Sequence, residues 1–288
     1  MTTIIGAFYG NAGKARGAEA GGEILFNSLK KYHNTISEEC QLTYKNSFNH
    51  GIKCLDEVQT FSKRINTLVY NNLLDCNKCL CIGGDHSISL GTITGAANAA
   101  HKLSKKFGVI YIDAHGDLNT IETSNTKNIH GMTLAASMGI GDTKLTKIAS
   151  NPLSPENLLL LGTRSLDPGE NDLIQKYNIK SITSKEIRSI SNFDNFKNKI
   201  SDFISYRDIE MLHISLDIDV IDPMEAPGTG VPEANGLSSS IVSCIIKELI
   251  TEHPVYSIDF VEYNPIFDVD NKTYNISNNL CREILYNW

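Results

Sequence analysis

The chain has 288 residues, 41% of them hydrophobic and 20% charged, which excludes a disordered tail or a disulfide-stapled miniprotein and allows a core that buries roughly three quarters of the unfolded chain's surface. With 33 acidic and 26 basic side chains the formal net charge is −7, and no long Lys/Arg run breaks that balance, so neither a nucleic acid nor an anionic membrane is expected as a partner. The first residues turn polar too soon for a secretory apolar region, and no stretch reaches the ~18 apolar residues of a membrane span, so a cytoplasmic protein is expected.

Strand-length apolar runs at residues 3–9, 78–82, 107–112, 158–162, 211–218 and 255–260 alternate with longer helical patterns. The alternation predicts βαβ units. Because the strands are apolar on both faces, it also predicts a mostly parallel sheet buried between two layers of helices. No repeat, low-complexity tract or Pro/Ser-rich linker divides residues 1–288, so one domain is expected.

The first run leads into a Gly-rich stretch, residues 10–22. Gly13-Lys14 suggests a phosphate loop, but Phe8 stands where that loop needs its first glycine and Ala15 where Ser or Thr would meet magnesium. The stretch is read instead as a loop at a strand end, a place where α/β proteins build ligand sites. Seven dispersed cysteines, Cys40, Cys54, Cys76, Cys79, Cys81, Cys244 and Cys281, suggest no disulfide framework, and Cys79 and Cys81 are expected as buried strand thiols. The junction Gly83-Gly84-Asp85-His86-Ser87 then enters a helix expected over residues 87–106, with Lys105 and Lys106 at the end where cations complement the helix dipole.

The next strand runs directly into Asp113-Ala114-His115-Gly116-Asp117. A period of two places Asp113 and His115 on one side, and Asp117 joins them if the chain stays extended. A later strand ends in Ser215-Leu216-Asp217-Ile218-Asp219, which sets two more carboxylates side by side. In an open α/β sheet these ends and His86 share one crevice. An unpaired buried carboxylate costs several kcal/mol, so four in one cleft call for cations or solvent. Two imidazoles and four carboxylates form a mixed N/O set with room for two divalent ions; manganese is favoured, with zinc and iron left open. Paired metals of this kind activate water for attack on an sp² carbon, which makes metal-assisted hydrolysis the leading chemistry. His130, in a polar loop, is placed to shuttle protons. Glu262, closing the last strand before Asn264-Pro265, is suited to accept hydrogen bonds from a planar guanidinium-like cation.

Together, Gly83-Gly84-Asp85-His86-Ser87, Asp113-Ala114-His115-Gly116-Asp117, Ser215-Leu216-Asp217-Ile218-Asp219 with Asp222-Pro223, and Glu262 before Asn264-Pro265 resemble the ureohydrolase family of arginases and agmatinases, in order and spacing across nearly the whole chain. The resemblance implies a three-layer α/β/α sandwich around a parallel, roughly eight-stranded sheet. It also implies two Mn²⁺ per chain, one held by His86, Asp113, Asp117 and Asp217, the other by His115, Asp113, Asp217 and Asp219. The stretch from Asp117 to Gly131 looks like the arginase version, which implies that Asn119 and Thr126 receive an α-carboxylate while Asp167 and Glu170 meet an α-ammonium group. The implied reaction cleaves L-arginine to L-ornithine and urea, with Glu262 holding the guanidinium, Asp117 passing a proton to the leaving nitrogen and His130 carrying protons to solvent. A homo-oligomer, trimer or hexamer, is implied by kinship. Two departures stand out: Val231 occupies a place where arginases usually have Thr, and Ser165-Leu166 replace a commoner acid-containing pair. The alternatives are an agmatinase or guanidinobutyrase with the same cluster, or a non-catalytic metal-binding scaffold.

Overall fold

A computed structural model describes residues 1–30, 35–40, 51–190 and 193–288. Eight strands, β1 (Thr2–Ala7), β2 (Thr35–Cys40), β3 (Lys78–Gly83), β4 (Phe107–Ile112), β5 (Leu158–Leu161), β6 (Lys180–Ile182), β7 (Met211–Asp217) and β8 (Val255–Val261), form one sheet in the order β2-β1-β3-β8-β7-β4-β5-β6. Every pairing is parallel. All six runs expected from hydrophobicity are strands. The two that hydrophobicity did not reveal, β2 and β6, lie at the sheet's edges, where a strand is open on one side and polar sequences such as Thr-Ile-Ser-Glu-Glu-Cys or Lys-Ser-Ile are tolerated.

Adjacent strand residues point to opposite faces, so Ile4 and Ile5, or Leu159 and Leu160, enter different cores. One face is covered by α1 (Ala18–Leu29), α7 (Ser184–Arg188), α8 (Phe193–Tyr206), α9 (Ser239–Glu252) and α10 (Lys272–Asn287), whose Phe26, Ile187, Ile200, Ile246 and Ile284 pack against it. The other is covered by α2 (Leu55–Leu74), α3 (Ser89–Lys102), α4 (Thr133–Ser137), α5 (Thr143–Thr146) and α6 (Pro168–Tyr177). This is the expected α/β/α sandwich. Cys79 and Cys81 are fully buried in β3, as expected. The helix expected over 87–106 begins as a 3₁₀ turn at His86–Ile88 and continues as α3, which stops at Lys102; Ser104 then takes a left-handed conformation, φ 56°, and no helix passes through such a residue. Among the described residues no helix is long and apolar enough to cross a membrane.

The strand order positions the site. From β3 the chain passes to β4 three places away, and β7 and β8 later fill the gap. The carboxyl ends of four neighbouring strands therefore meet at the sheet's centre. Their register finishes the alignment: Ile112 pairs with Leu216, and Asp217 with Val261, so Asp113, Asp217 and Glu262 emerge within one residue of each other in height.

Candidate active site

His86 Nδ1 lies 3.0 Å from Asp113 Oδ2, 3.2 Å from Asp117 Oδ2 and 3.0 Å from Asp217 Oδ2. His115 Nδ1 lies 3.0 Å from Asp219 Oδ2 and 3.4 Å from Asp113 Oδ1. The result is two donor groups, His86/Asp113/Asp217 and Asp113/His115/Asp219, in which Asp113 turns one oxygen to each. Asp113, Asp217 and Asp219 are at most 2% exposed.

Whether this set suits cations is answered by its unsatisfied atoms. His86 Nδ1 and Asp113 Oδ2 are buried and have no hydrogen-bond partner among the described residues, an expensive arrangement unless a cation sits between them. The tautomer of His86 agrees. Ser215 Oγ donates to Asp259 Oδ1 at 2.6 Å, so at 2.8 Å it accepts from His86 Nε2–H, which leaves the Nδ1 lone pair aimed at the carboxylates. Asp259 is itself anchored by the Thr92 hydroxyl and by His213 Nε2 at 3.1 Å. The Tyr111 ring stacks on His86, with centroids 4.6 Å apart and planes 5° apart, and its hydroxyl donates to Asp117 Oδ2 at 2.6 Å.

With no cation, protons take over the charge balance. Burial, reinforced by neighbouring carboxylates, raises Asp217 and Asp219 above the usual range and Asp117 to about 6. Burial pushes Asp113 the same way, but His115 and His86 outweigh it and hold it low. Burial would lower His86 and His115; the surrounding aspartates raise both instead.

Asp117 reaches the cluster by a route other than the expected extended chain. Its φ is +49°, so a left-handed turn after Gly116 swings it back. Glu262, φ +66°, turns off β8 in the same way. Its Oε1 accepts from the His86 backbone N–H at 2.8 Å and from His130 Nδ1 at 2.9 Å, while Oε2 lies 3.7 Å from the point where a side chain on Gly230 would begin. Burial would lower the His130 pKa, yet the Glu262 carboxylate raises it to about 9.

The cluster forms the floor of a pocket of about 280 Å³. The pocket also contains the other expected site residues, Asn119, Thr126, Asp167 and Glu170. Asp167 is the N-cap of α6, and its Oδ2 accepts from Asn119 Nδ2 at 2.9 Å. Glu170 lines the pocket and also holds the surrounding backbone. Its oxygens accept from the backbone amides of Leu118 (3.0 Å) and Asp167 (2.8 Å), and burial raises its pKa to about 7. Thr126 Oγ1 accepts from Asn128 N–H at 3.3 Å, and Ser124 Oγ from Lys127 N–H at 3.0 Å.

Lys14, Ser124, Asn128 and Glu233 also line the pocket; the sequence marked Lys14 only as part of a Gly-rich loop and gave the other three no role. Ser124 and Asn128 belong to the polar stretch between Asp117 and His130; that stretch was the available signal. Glu233 Oε1 stands 3.8 Å from His115 Nε2, and nothing in the pattern around Pro232 pointed to it. Asp85 was passed over inside a motif that was noticed. It is fully buried, accepts from Ala12 N–H (2.7 Å) and Gly13 N–H (3.0 Å), and ties the Gly-rich loop to the cluster. The tie requires Gly84, where a Cβ would fall 1.8 Å from the Tyr9 carbonyl oxygen.

Comparison with known proteins agrees with this geometry. The family model described as "Arginase family" matches residues 2–286. The arginase of Staphylococcus aureus strain COL is 37% identical over 223 residues, which is 77% of this chain and 72% of that protein. Among solved structures, that of Entamoeba histolytica arginase in complex with L-ornithine superposes with a TM-score of 0.90 at 29% identity, covering 98% of this chain and 97% of that one. Bacillus subtilis arginase gives 0.85 at 31% identity, covering 99% and 98%.

Proposed function

The chain belongs to the arginase family, and from that premise we propose that it hydrolyses L-arginine to L-ornithine and urea with two Mn²⁺ per chain. The observation that carries the reading is that two N/O donor groups sharing Asp113 open onto a pocket also lined by the acids Glu262 and Asp167, one for each cationic end of the substrate. His86, Asp113, Asp117 and Asp217 would hold one ion, and His115, Asp113, Asp217 and Asp219 the other. When bound, such a pair supplies water of lowered pKa and Lewis-acid polarisation for attack on an sp² carbon.

The chain's own groups do the rest. Glu262 Oε2 accepts hydrogen bonds from the substrate guanidinium and sets its carbon over the cluster. That incoming cation lies beside His130 and works against the Glu262 carboxylate that holds the His130 pKa at about 9. The pKa therefore falls toward neutrality, where His130 exchanges protons with solvent. Asp117 delivers a proton to the nitrogen of the breaking C–N bond, so that the amine of ornithine leaves neutral and the former guanidinium carbon departs as urea. Asp167 accepts from the α-ammonium group, while Asn119 and Thr126 donate to the α-carboxylate, with the Ser124 hydroxyl 3.5 Å from that of Thr126 and each hydroxyl accepting from a backbone amide. Assembly as a cytoplasmic trimer or hexamer belongs to the same proposal.

Urea release from L-arginine and agmatine, measured side by side after manganese reconstitution with metal counted per chain, tests the reading. Two ions per chain and a preference for arginine are expected. Preferential turnover of agmatine would defeat it. Recognition of the α-ammonium group has its own check. Asp167→Ala should raise KM for arginine about 10-fold and leave KM for agmatine within about twofold. Because Ala also removes the cap of α6, at about 1 kcal/mol, Asp167→Ser separates the two roles: it keeps the cap and still loses the carboxylate. Equal changes on both substrates would remove Asp167 from substrate recognition.

A further inference from the structure

The reaction uses no residue of the Gly-rich loop between β1 and α1, yet the fold fastens that loop over the pocket. Asp85 Oδ2 accepts from Ala12 and Gly13 N–H at 2.7 and 3.0 Å, His130 N–H donates to Ala12 O at 3.3 Å, and Asn264 Nδ2 donates to Arg16 O at 2.9 Å. Residue 14 therefore lies between two fixed points, one and two positions away. Its side chain lines the pocket together with Ser124, Thr126 and Asn128.

Among the described residues Lys14 is the one lysine or arginine lining that pocket, against seven acids. Its ammonium group has no hydrogen bond or ion pair among the described residues. Charge balance shows what it is for. Two divalent ions match the four cluster aspartates, the guanidinium matches Glu262 and the α-ammonium matches Asp167, which leaves Glu170 and Glu233 as uncancelled acids in the lining. The α-carboxylate then remains, entering an acid-rich pocket opposite neutral hydroxyl and amide donors. Hydroxyl dipoles orient a carboxylate without cancelling its charge, and repulsion from the surrounding acids would reject it. We propose that Lys14 is a specificity-determining residue whose ammonium pairs with the α-carboxylate of the amino-acid substrate at the pocket mouth. The inference rests on the arginine reading above and deepens it: the loop admits substrates carrying an α-carboxylate in preference to decarboxylated ones.

The test compares wild type, Lys14→Gln and Lys14→Arg as manganese-loaded proteins, with kinetics on L-arginine and agmatine and calorimetric binding of L-ornithine and putrescine. Lys14→Gln is expected to raise KM for arginine about 5- to 10-fold with kcat within about twofold. It should weaken L-ornithine by a similar factor and leave agmatine and putrescine unmoved, and Lys14→Arg should recover most of the loss. Raising the salt concentration should erode arginine affinity more steeply in wild type than in Lys14→Gln, which keeps the Glu262 and Asp167 pairs but lacks the lysine's. Unchanged arginine and ornithine parameters, or equal losses with and without the carboxylate, overturn the inference alone. A wild type that prefers agmatine overturns the substrate reading and this inference with it.

Discussion

Replacing Asp117 with Asn is expected to lower kcat on arginine by about three orders of magnitude with little change in fold, the larger of two effects for which the site is built. Asn has the same shape, tolerates the left-handed φ of +49° that residue 117 requires, and still offers an oxygen to the Tyr111 hydroxyl, which donates to Asp117 Oδ2 at 2.6 Å. An amide differs in two respects. It removes one negative charge from the donor set around His86 Nδ1, and it cannot take up and hand over a proton. Loss of a positioned acid or base alone is worth about 10²- to 10⁴-fold. Steady-state kinetics with metal content and circular dichroism recorded on the same sample would check it. Turnover within tenfold of wild type at full metal occupancy would remove Asp117 from proton transfer. Tyr111→Phe, which deletes only the hydrogen bond, should cost far less, about 10-fold.

The contrast between Asp117 and Asp113 shows which parts of the site sequence spacing conveys. Asp113, one residue past β4, and Asp217, the last of β7, sit at strand ends where the parallel sheet decides where a side chain points, whereas Asp219 joins them through the 3₁₀ turn Ile218–Val220 and not through strand alternation. The convergence of Asp113 and Asp217 was therefore readable before any fold was known. Asp117, four residues after Asp113, lies beyond the reach of that periodicity. It arrives by a left-handed turn that no alternation pattern encodes. The pocket wall is harder still, because Lys14, Ser124, Asn128 and Glu233 face inward through loop conformations fixed by distant partners such as Asp85 and Asn264. Glu170 shows a role the resemblance did not convey: besides lining the pocket, its oxygens accept from the Asp167 amide at the N-terminus of α6 and from the Leu118 amide. The chain Asp259–Ser215–His86 escaped notice because isolated polar residues inside apolar strands read as interruptions, and only strand pairing shows that they touch. The edges β2 and β6 were missed for the reason that lets edges be polar.

Removing the metals should destabilise the protein, by more at high pH than at low. A ligand in thousandfold excess over its Kd adds about 4 kcal/mol per site, so scanning calorimetry of chelated and manganese-loaded samples at neutral pH should show Tm values that differ on the order of 10 °C. The pH dependence follows from the directions in which the bare cluster shifts. Without cations His86 and His115 titrate above the ordinary value of 6.5, and Asp117 at about 6 in place of 3.8. Between pH 5.5 and 8 the folded chelated protein thus holds protons that the unfolded chain has released, which makes the slope of unfolding free energy against pH negative. The imidazoles' contribution is complete below 6.5 and is lost as pH rises through their folded values. Asp113, held low, has the opposite sign, but its contribution is lost only as pH falls below 3.8, outside this window. Loaded protein trends the other way, since rising pH frees the same ligands from protons that compete with Mn²⁺. The Tm gap between the two samples should therefore widen steadily from pH 5.5 to 8. A gap that stays constant or narrows would mean that the buried carboxylates and imidazoles are not where the ions bind.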